Sequence, residues 1–204
     1  MRDPVNIQDI SLLSPDFMGF IFYPPSSRFA GDLSQARIAD LPASIKKVGV
    51  FVNIPTEAVL SRCRQMGIRM VQLHGDESPD YCKAMQDNDM EVIKAFGVGK
   101  NDDLKHISSY QNACDYYLLD TASKEFGGTG KQFDWEHLDE YVEEKPFFLS
   151  GGIGPEDAER IAELKHPNLF GVDLNSRFET KPGIKNRDEL AGFMQKVRAY
   201  ETKT

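Results

Sequence analysis

The chain begins MRDPVNIQDI (residues 1–10), and the reading of this stretch decides the fold. Asp3 can accept backbone N–H groups as an N-cap, and Pro4 has its φ pre-set for a first helical turn. Ile7 and Ile10 open an apolar stripe at helical spacing. A helix therefore starts with no strand ahead of it. Folds that alternate strand and helix normally begin with a strand, so the opening helix either marks another fold or follows a strand upstream of Met1.

The rest of the chain decides between these readings. Seven largely apolar runs follow one another: FMGFIFY (17–23), KVGVFVN (47–53), MVQLHG (70–75), EVIKAFG (91–97), YYLLDT (116–121), PFFLSGG (146–152) and LFGVDLN (169–175). Short runs of this kind read as strands buried on both faces of a parallel sheet. Between them lie helical patterns at 33–41, 56–67, 78–86, 102–110, 135–142, 155–164 and 186–200. Pro55-Thr56-Glu57, Ser78-Pro79-Asp80 and Gly154-Pro155-Glu156-Asp157 supply helix start signals. Counting the opening helix, there are eight helices for seven strands. A doubly wound open sheet of five or six strands fits this count less well than a barrel of eight βα repeats. The expectation is an α/β protein, a (βα)8 TIM barrel that spans 1–204 as a single domain, with strand 1 missing or truncated at the N-terminus.

Composition narrows the function. A formal net charge of -8 argues against nucleic acid or an anionic membrane as the main partner, although local donors can still bind an anionic small molecule. No apolar run approaches the roughly 18 residues of a membrane span, and no signal-peptide core is evident. Cys63, Cys82 and Cys114 form no CxxC pair, which suits a reducing cytoplasm. The expected location is cytoplasmic, and the chain is compatible with a monomer or a homodimer.

Barrel enzymes place their chemistry at the C-terminal ends of the strands. That rule selects Tyr23 to Arg28, Asn53, Gln72, His74, Lys94, Asp120, Ser150 to Gly152 and Asp173 to Arg177. Asp120 closes an apolar strand and leads into FGGTGKQFDW (126–135), whose Gly128, Thr129 and Gly130 offer backbone N–H groups and a hydroxyl to an anion. Alone, GGTG reads as a glycine-rich turn. SGGI (150–153) and DLNS (173–176) end the next two strands, however, and loops after the last strands of such barrels often bind phosphate. Three such loops on one rim favour a phosphorylated substrate. Arg28 adds a guanidinium fork suited to carboxylate or phosphate. QLHGDE (72–77) has a single His and lacks a second ligand at helical spacing, so no metal site is expected. His106, His137 and His166 fall in helical or turn patterns. The three cysteines lie away from the strand ends.

In their order and spacing, FYPPSSR, GVFVN, QLHGDE, LLDT…GGTGK.FDW, LSGGI and GVDLNS.FE…PGIK together resemble the phosphoribosylanthranilate isomerase family of tryptophan biosynthesis, over essentially the whole chain. The resemblance implies a single (βα)8 barrel and a cofactor-free Amadori rearrangement of N-(5-phosphoribosyl)anthranilate to 1-(2-carboxyphenylamino)-1-deoxyribulose 5-phosphate. It assigns the general acid to Asp120 and substrate contacts to Arg28, Gln72, His74 and Asp173. Arg28 would take the anthranilate carboxylate. The phosphate would lie against Gly128, Thr129, Gly130, Gly151, Gly152, Asn175 and Ser176. Two features depart from the family pattern. Arg177 stands where members commonly carry glycine. The family's general base, a cysteine in a K-x-C-G segment ending the first strand, falls upstream of Met1, so a chain lacking it is expected to turn over poorly. Other readings are another phosphosugar isomerase or epimerase, indole-glycerol-phosphate synthase with Lys94 as its lysine, or an impaired barrel that only binds a phosphosugar.

Overall fold

The computed structural model describes residues 1–31, 33–98, 103–121, 135, 138, 141 and 144–201. All seven apolar runs are strands: β1 (Phe17–Ile21), β2 (Lys46–Phe51), β3 (Met70–Leu73), β4 (Glu91–Val98), β5 (Tyr116–Thr121), β6 (Phe147–Leu149) and β7 (Leu169–Val172). They form one sheet in chain order, every neighbour parallel, with β1 and β7 as its edges. The sheet curls. Phe17 of β1 packs its ring on Phe148 of β6 at 5.3 Å and on Phe170 of β7 at 6.1 Å.

The pleat alternates side chains between two layers. Phe51, Val71, Leu73, Val92, Tyr117, Leu119, Phe147 and Leu149 point outward into the large core shared with the helices. Val48, Met70, Ile93, Ala95, Leu118 and Phe148 point inward, with Phe17 and Tyr116, as an apolar plug. Two residues further along the same inward rows come Gln72, Asp120 and Ser150. The plug therefore dictates which polar groups face the interior above it.

The opening helix α1 (Pro4–Ser11) forms as expected: Asp3 accepts from the Asn6 N–H at 2.8 Å, and Ile7 and Ile10 are buried. The helices α2 (Thr56–Met66), α3 (Pro79–Gln86), α4 (Ala158–Glu163) and α5 (Arg187–Glu201) also follow their sequence patterns. Two expected helices are corrected. Within 33–41 only a 3₁₀ turn, Gln35–Arg37, forms. Leu33, Ile38 and Leu41 are buried around it, and Pro42 disfavours helical backbone at the residue before it. Of the expected helix at 102–110, the described residues form a 3₁₀ helix, Asp103–Tyr110. Ile107 and Tyr110, three apart, eclipse on its inner side, and the Tyr110 hydroxyl donates to the Glu77 carbonyl at 3.0 Å. Of the expected helix at 135–142, only Trp135, Leu138 and Tyr141 are described, all buried.

A short antiparallel hairpin, β8 (Glu179–Lys181) and β9 (Ile184–Lys185), turns at Pro182-Gly183 with Gly183 at φ 81°. The Asn6 side chain locks α1 to it, donating to the Lys185 carbonyl at 2.9 Å and accepting the Lys185 N–H at 2.8 Å.

Lys94 is the charge this sheet must accommodate. Its ammonium meets Glu77 at 3.2 Å and the carbonyls of Leu73, Gly75 and Ala95, and both side chains are buried. Glu77 in turn accepts the N–H groups of Asn53 and Gly75 at 2.8 and 2.9 Å. Lys94 is thus a structural cation rather than a catalytic lysine. Glu77→Ala leaves this ammonium buried without its counter-ion, and should lower unfolding stability by about 3–5 kcal/mol in urea titrations.

Candidate functional site

One cavity of about 1430 Å³ lies over the inward face of the sheet. Its wall is built from strand ends. Gln72 and His74 come from β3, Asp120 from β5, Ser150, Gly151 and Gly152 from β6, and Asp173, Asn175 and Ser176 from β7. The cavity also runs between the edge strands β1 and β7 to α1 and α5, where Ile10, Leu190 and Phe193 line it.

Within the cavity the polar groups touch. His74 Nε2 lies 3.3 Å from Asp120 Oδ2, and His74 Nδ1 lies 2.7 Å from Gln72 Nε2. The Ser150 hydroxyl donates to Asp173 Oδ2 at 3.1 Å. Burial pushes the Asp173 carboxyl above its ordinary value and the Asp120 charge adds to this, while Lys185, the Ser150 hydrogen bond and His74 pull the other way. The glycines after β6 adopt left-handed backbone, φ 94° at Gly151 and 68° at Gly152, which frees them to turn the loop sharply at the cavity wall.

A second group of charges gathers around Glu179. Lys185 lines the cavity, donating to Asn175 Oδ1 at 2.8 Å and to Glu179 at 3.2 Å. Burial lowers its pKa, against the pull of Glu179 and Asp173. Glu179 also holds Arg28, which donates from Nε at 2.9 and 3.1 Å and meets it through Nη2 at 2.9 Å. Burial alone would raise the Glu179 pKa, but the Arg28 hydrogen bonds and the charges of Lys185 and Arg28 leave it below the usual carboxylate value. Lys185 ends the PGIK motif, but strand-end position does not mark it for a site role. Only the hairpin topology brings it to the rim.

Not every expected residue reaches the cavity wall. Arg28 stands on the loop after β1 with its guanidinium turned to Glu179, outside the lining. Gly128, Thr129 and Gly130 lie outside the described residues. Arg177 pairs with Glu156, so it joins the loops that follow β7 and β6. Burial raises the thiols of Cys63 and Cys114 to about 12 and that of Cys82 to about 11, which rules all three out as nucleophiles. Among the described residues no group of three His, Cys, Asp or Glu is placed to hold a metal ion.

The chain matches the family model described as N-(5'-phosphoribosyl)anthranilate (PRA) isomerase over residues 2–196. It is 42% identical over 199 residues to N-(5'-phosphoribosyl)anthranilate isomerase from Parabacteroides distasonis, covering 97% of this chain and 90% of the relative. Its fold superposes on phosphoribosyl anthranilate isomerase from Thermotoga maritima with a TM-score of 0.83 at 31% identity, covering 98% and 96% of the two chains. It also superposes on a phosphoribosyl anthranilate isomerase in complex with reduced 1-(o-carboxyphenylamino)-1-deoxyribulose 5-phosphate, with a TM-score of 0.82 at 29% identity and coverage of 98% and 95%.

The raised Asp173 pKa has a consequence for stability. Between its ordinary value of 3.8 and its higher folded value, the native state binds more protons than the unfolded state, so ionising Asp173 erodes stability as pH rises. Asp173→Asn should therefore have a higher urea midpoint than the parent at pH 7, with the difference shrinking below pH 4.

Proposed function

The chain belongs to the N-(5'-phosphoribosyl)anthranilate isomerase family, and from that premise we propose how its own residues carry out the reaction. The family performs an aldose–ketose isomerisation in tryptophan biosynthesis, converting N-(5-phosphoribosyl)anthranilate to 1-(2-carboxyphenylamino)-1-deoxyribulose 5-phosphate. No cofactor chemistry is needed. Protonation of the furanose ring oxygen breaks its bond to C1 and leaves a Schiff base. Removal of the C2 proton gives an enolamine, and protonation at C1 with loss of the C2 hydroxyl proton then yields the ketose.

The observation that carries the assignment is Asp120 at the end of β5, in contact with His74 on the cavity wall. Asp120 acts as the general acid on the ring oxygen. Asp173, on the neighbouring wall with Ser150, contacts the sugar hydroxyls, and Gln72 and His74 complete that side of the substrate site. The phosphate lies against the loops of Gly151–Gly152 and Asn175–Ser176, with Gly128, Thr129 and Gly130 as further ligands. Lys185 braces Asn175 from behind. Arg28 receives the anthranilate carboxylate while Glu179 grips one side of its guanidinium.

The fold is read as one (βα)8 domain whose remaining strand precedes Met1 and lies between β1 and β7. Three observations support this reading. Both strands are sheet edges, the cavity extends between them, and the Met1 amino nitrogen donates to the Gly19 carbonyl on β1 at 2.6 Å. A cysteine near the end of that strand would reach the same cavity and act as the base. Among the described residues no helix is long and apolar enough to cross a membrane, and the three thiols are unbridged, in keeping with a cytoplasmic enzyme.

Asp120→Asn should lower kcat by about 10²–10⁴-fold, some 3–5 kcal/mol of barrier, while the affinity for the reduced product analogue stays near that of the parent. Loss of binding in parallel with kcat would remove Asp120 from the acid role. Residues 1–204 should turn over slowly, and a chain extended upstream through a Lys-x-Cys-Gly strand should recover about 10²–10⁴-fold. Equal rates for the two chains would refute the upstream base.

A further inference from the structure

Gln72, His74 and Asp120 form a line of contacts that acid catalysis by Asp120 does not by itself require. Gln72 Nε2 lies 2.7 Å from His74 Nδ1, and His74 Nε2 lies 3.3 Å from Asp120 Oδ2. A neutral imidazole offers one N–H and one lone pair. Both neighbours ask for the same assignment. The amide nitrogen of Gln72 has only hydrogens to give, so Nδ1 accepts. The carboxyl oxygen of Asp120 accepts, so Nε2 carries the hydrogen. Gln72 is well placed to impose this state, because it is buried within β3 and registered between Val50 of β2 and Ile93 of β4.

We propose that Gln72 is a positioning residue that holds His74 as the neutral Nε2–H tautomer, so that His74 donates to Asp120 Oδ2. The proposal rests on Asp120 being the general acid. Its physical content is a difference between states. While Asp120 is protonated, the Nε2–H bond to Oδ2 is an ordinary one. Once the proton has gone to the ring oxygen, the same bond ends on a carboxylate and roughly doubles in strength. The interaction therefore favours the transferred state over the ground state, which is what accelerates a step. The opposite tautomer would turn an Nε2 lone pair toward Asp120 and compete for the proton the acid must deliver.

The test is ¹⁵N NMR of the histidine-labelled chain at neutral pH, with the His74 signals assigned by their loss in His74→Asn. The expected pattern is a protonated Nε2 and an unprotonated Nδ1. An Nδ1–H tautomer, or an imidazolium, overturns the proposal without any variant. Gln72→Glu replaces the donor with an acceptor, so it should move the proton onto Nδ1. It should also lower kcat by about 10- to 100-fold, less than the loss of the acid itself. Gln72→Leu should give a mixed tautomer population and an intermediate kcat. A Gln72→Glu chain that keeps the parent's ¹⁵N pattern and kcat refutes the positioning role. Asp120→Asn separates the two levels. Full activity in that variant removes the acid assignment, whereas an inactive Asp120→Asn beside a parent-like Gln72→Glu removes only the role of Gln72.

Discussion

A parallel strand covered on both faces has no solvent side on which to carry a polar group, so such groups collect where the strand ends. In this sheet the two-residue pleat adds a second restriction. Met70, Leu118 and Phe148 are plug residues, and two positions later on the same inward rows stand Gln72, Asp120 and Ser150. Packing the apolar plug therefore aims the polar rim, and a one-residue slip of any strand would turn its functional side chain into the helical layer. Chemistry and core share a single register.

The buried ammonium of Lys94 shows what violating that rule requires. Lys94 in β4 is met by a buried carboxylate, by the Leu73 and Gly75 carbonyls at the end of β3 and by the Ala95 carbonyl of its own strand. Glu77 then organises the backbone of Asn53 and Gly75, and Asn53 itself sits at φ 51°, a left-handed conformation uncommon for a residue with a side chain. The same rim holds Arg28, Glu179, Lys185 and Asp173 in partial burial, with alternating sign. Glu179 compensates two cations. Asp173 has Lys185 in its favour but Asp120 against it. The burial of Asp173 and the nearby Asp120 charge thus cost part of the folding free energy.

The alternation of strand and helix was legible because parallel strands are short, apolar and regularly spaced, and all seven runs became strands. The loss of helix at 33–41 was hard to read, since the composition of LSQARIADL is helical and only the Pro42 that follows it argues otherwise. Asp120, His74, Gln72 and Asp173 could be picked out by the strand-end rule. Lys185 and Glu179 could not, because they lie on a hairpin after the last strand and reach the site only through tertiary folding. Arg28 was legible as a fork but not as one already gripped by a carboxylate. Ion pairs between residues 151 positions apart leave no local trace in sequence.

The hairpin also explains how the first helix takes part. Asn6 on α1 is bonded to both backbone groups of Lys185, whose ammonium braces Asn175 beside the cavity. A shift of α1 by even a fraction of an ångström would therefore be felt at the loop after β7. The N-terminal end of α1 lies where Met1 meets Gly19 on the edge strand β1, and Arg2 donates to the Ser27 carbonyl beside Arg28. The residues that lead into this helix are thus held by the same contacts that shape the rim around Arg28 and Asn175. That coupling gives the opening stretch MRDPVNIQDI its importance: it is the beginning of a helix and also one of the supports of the site.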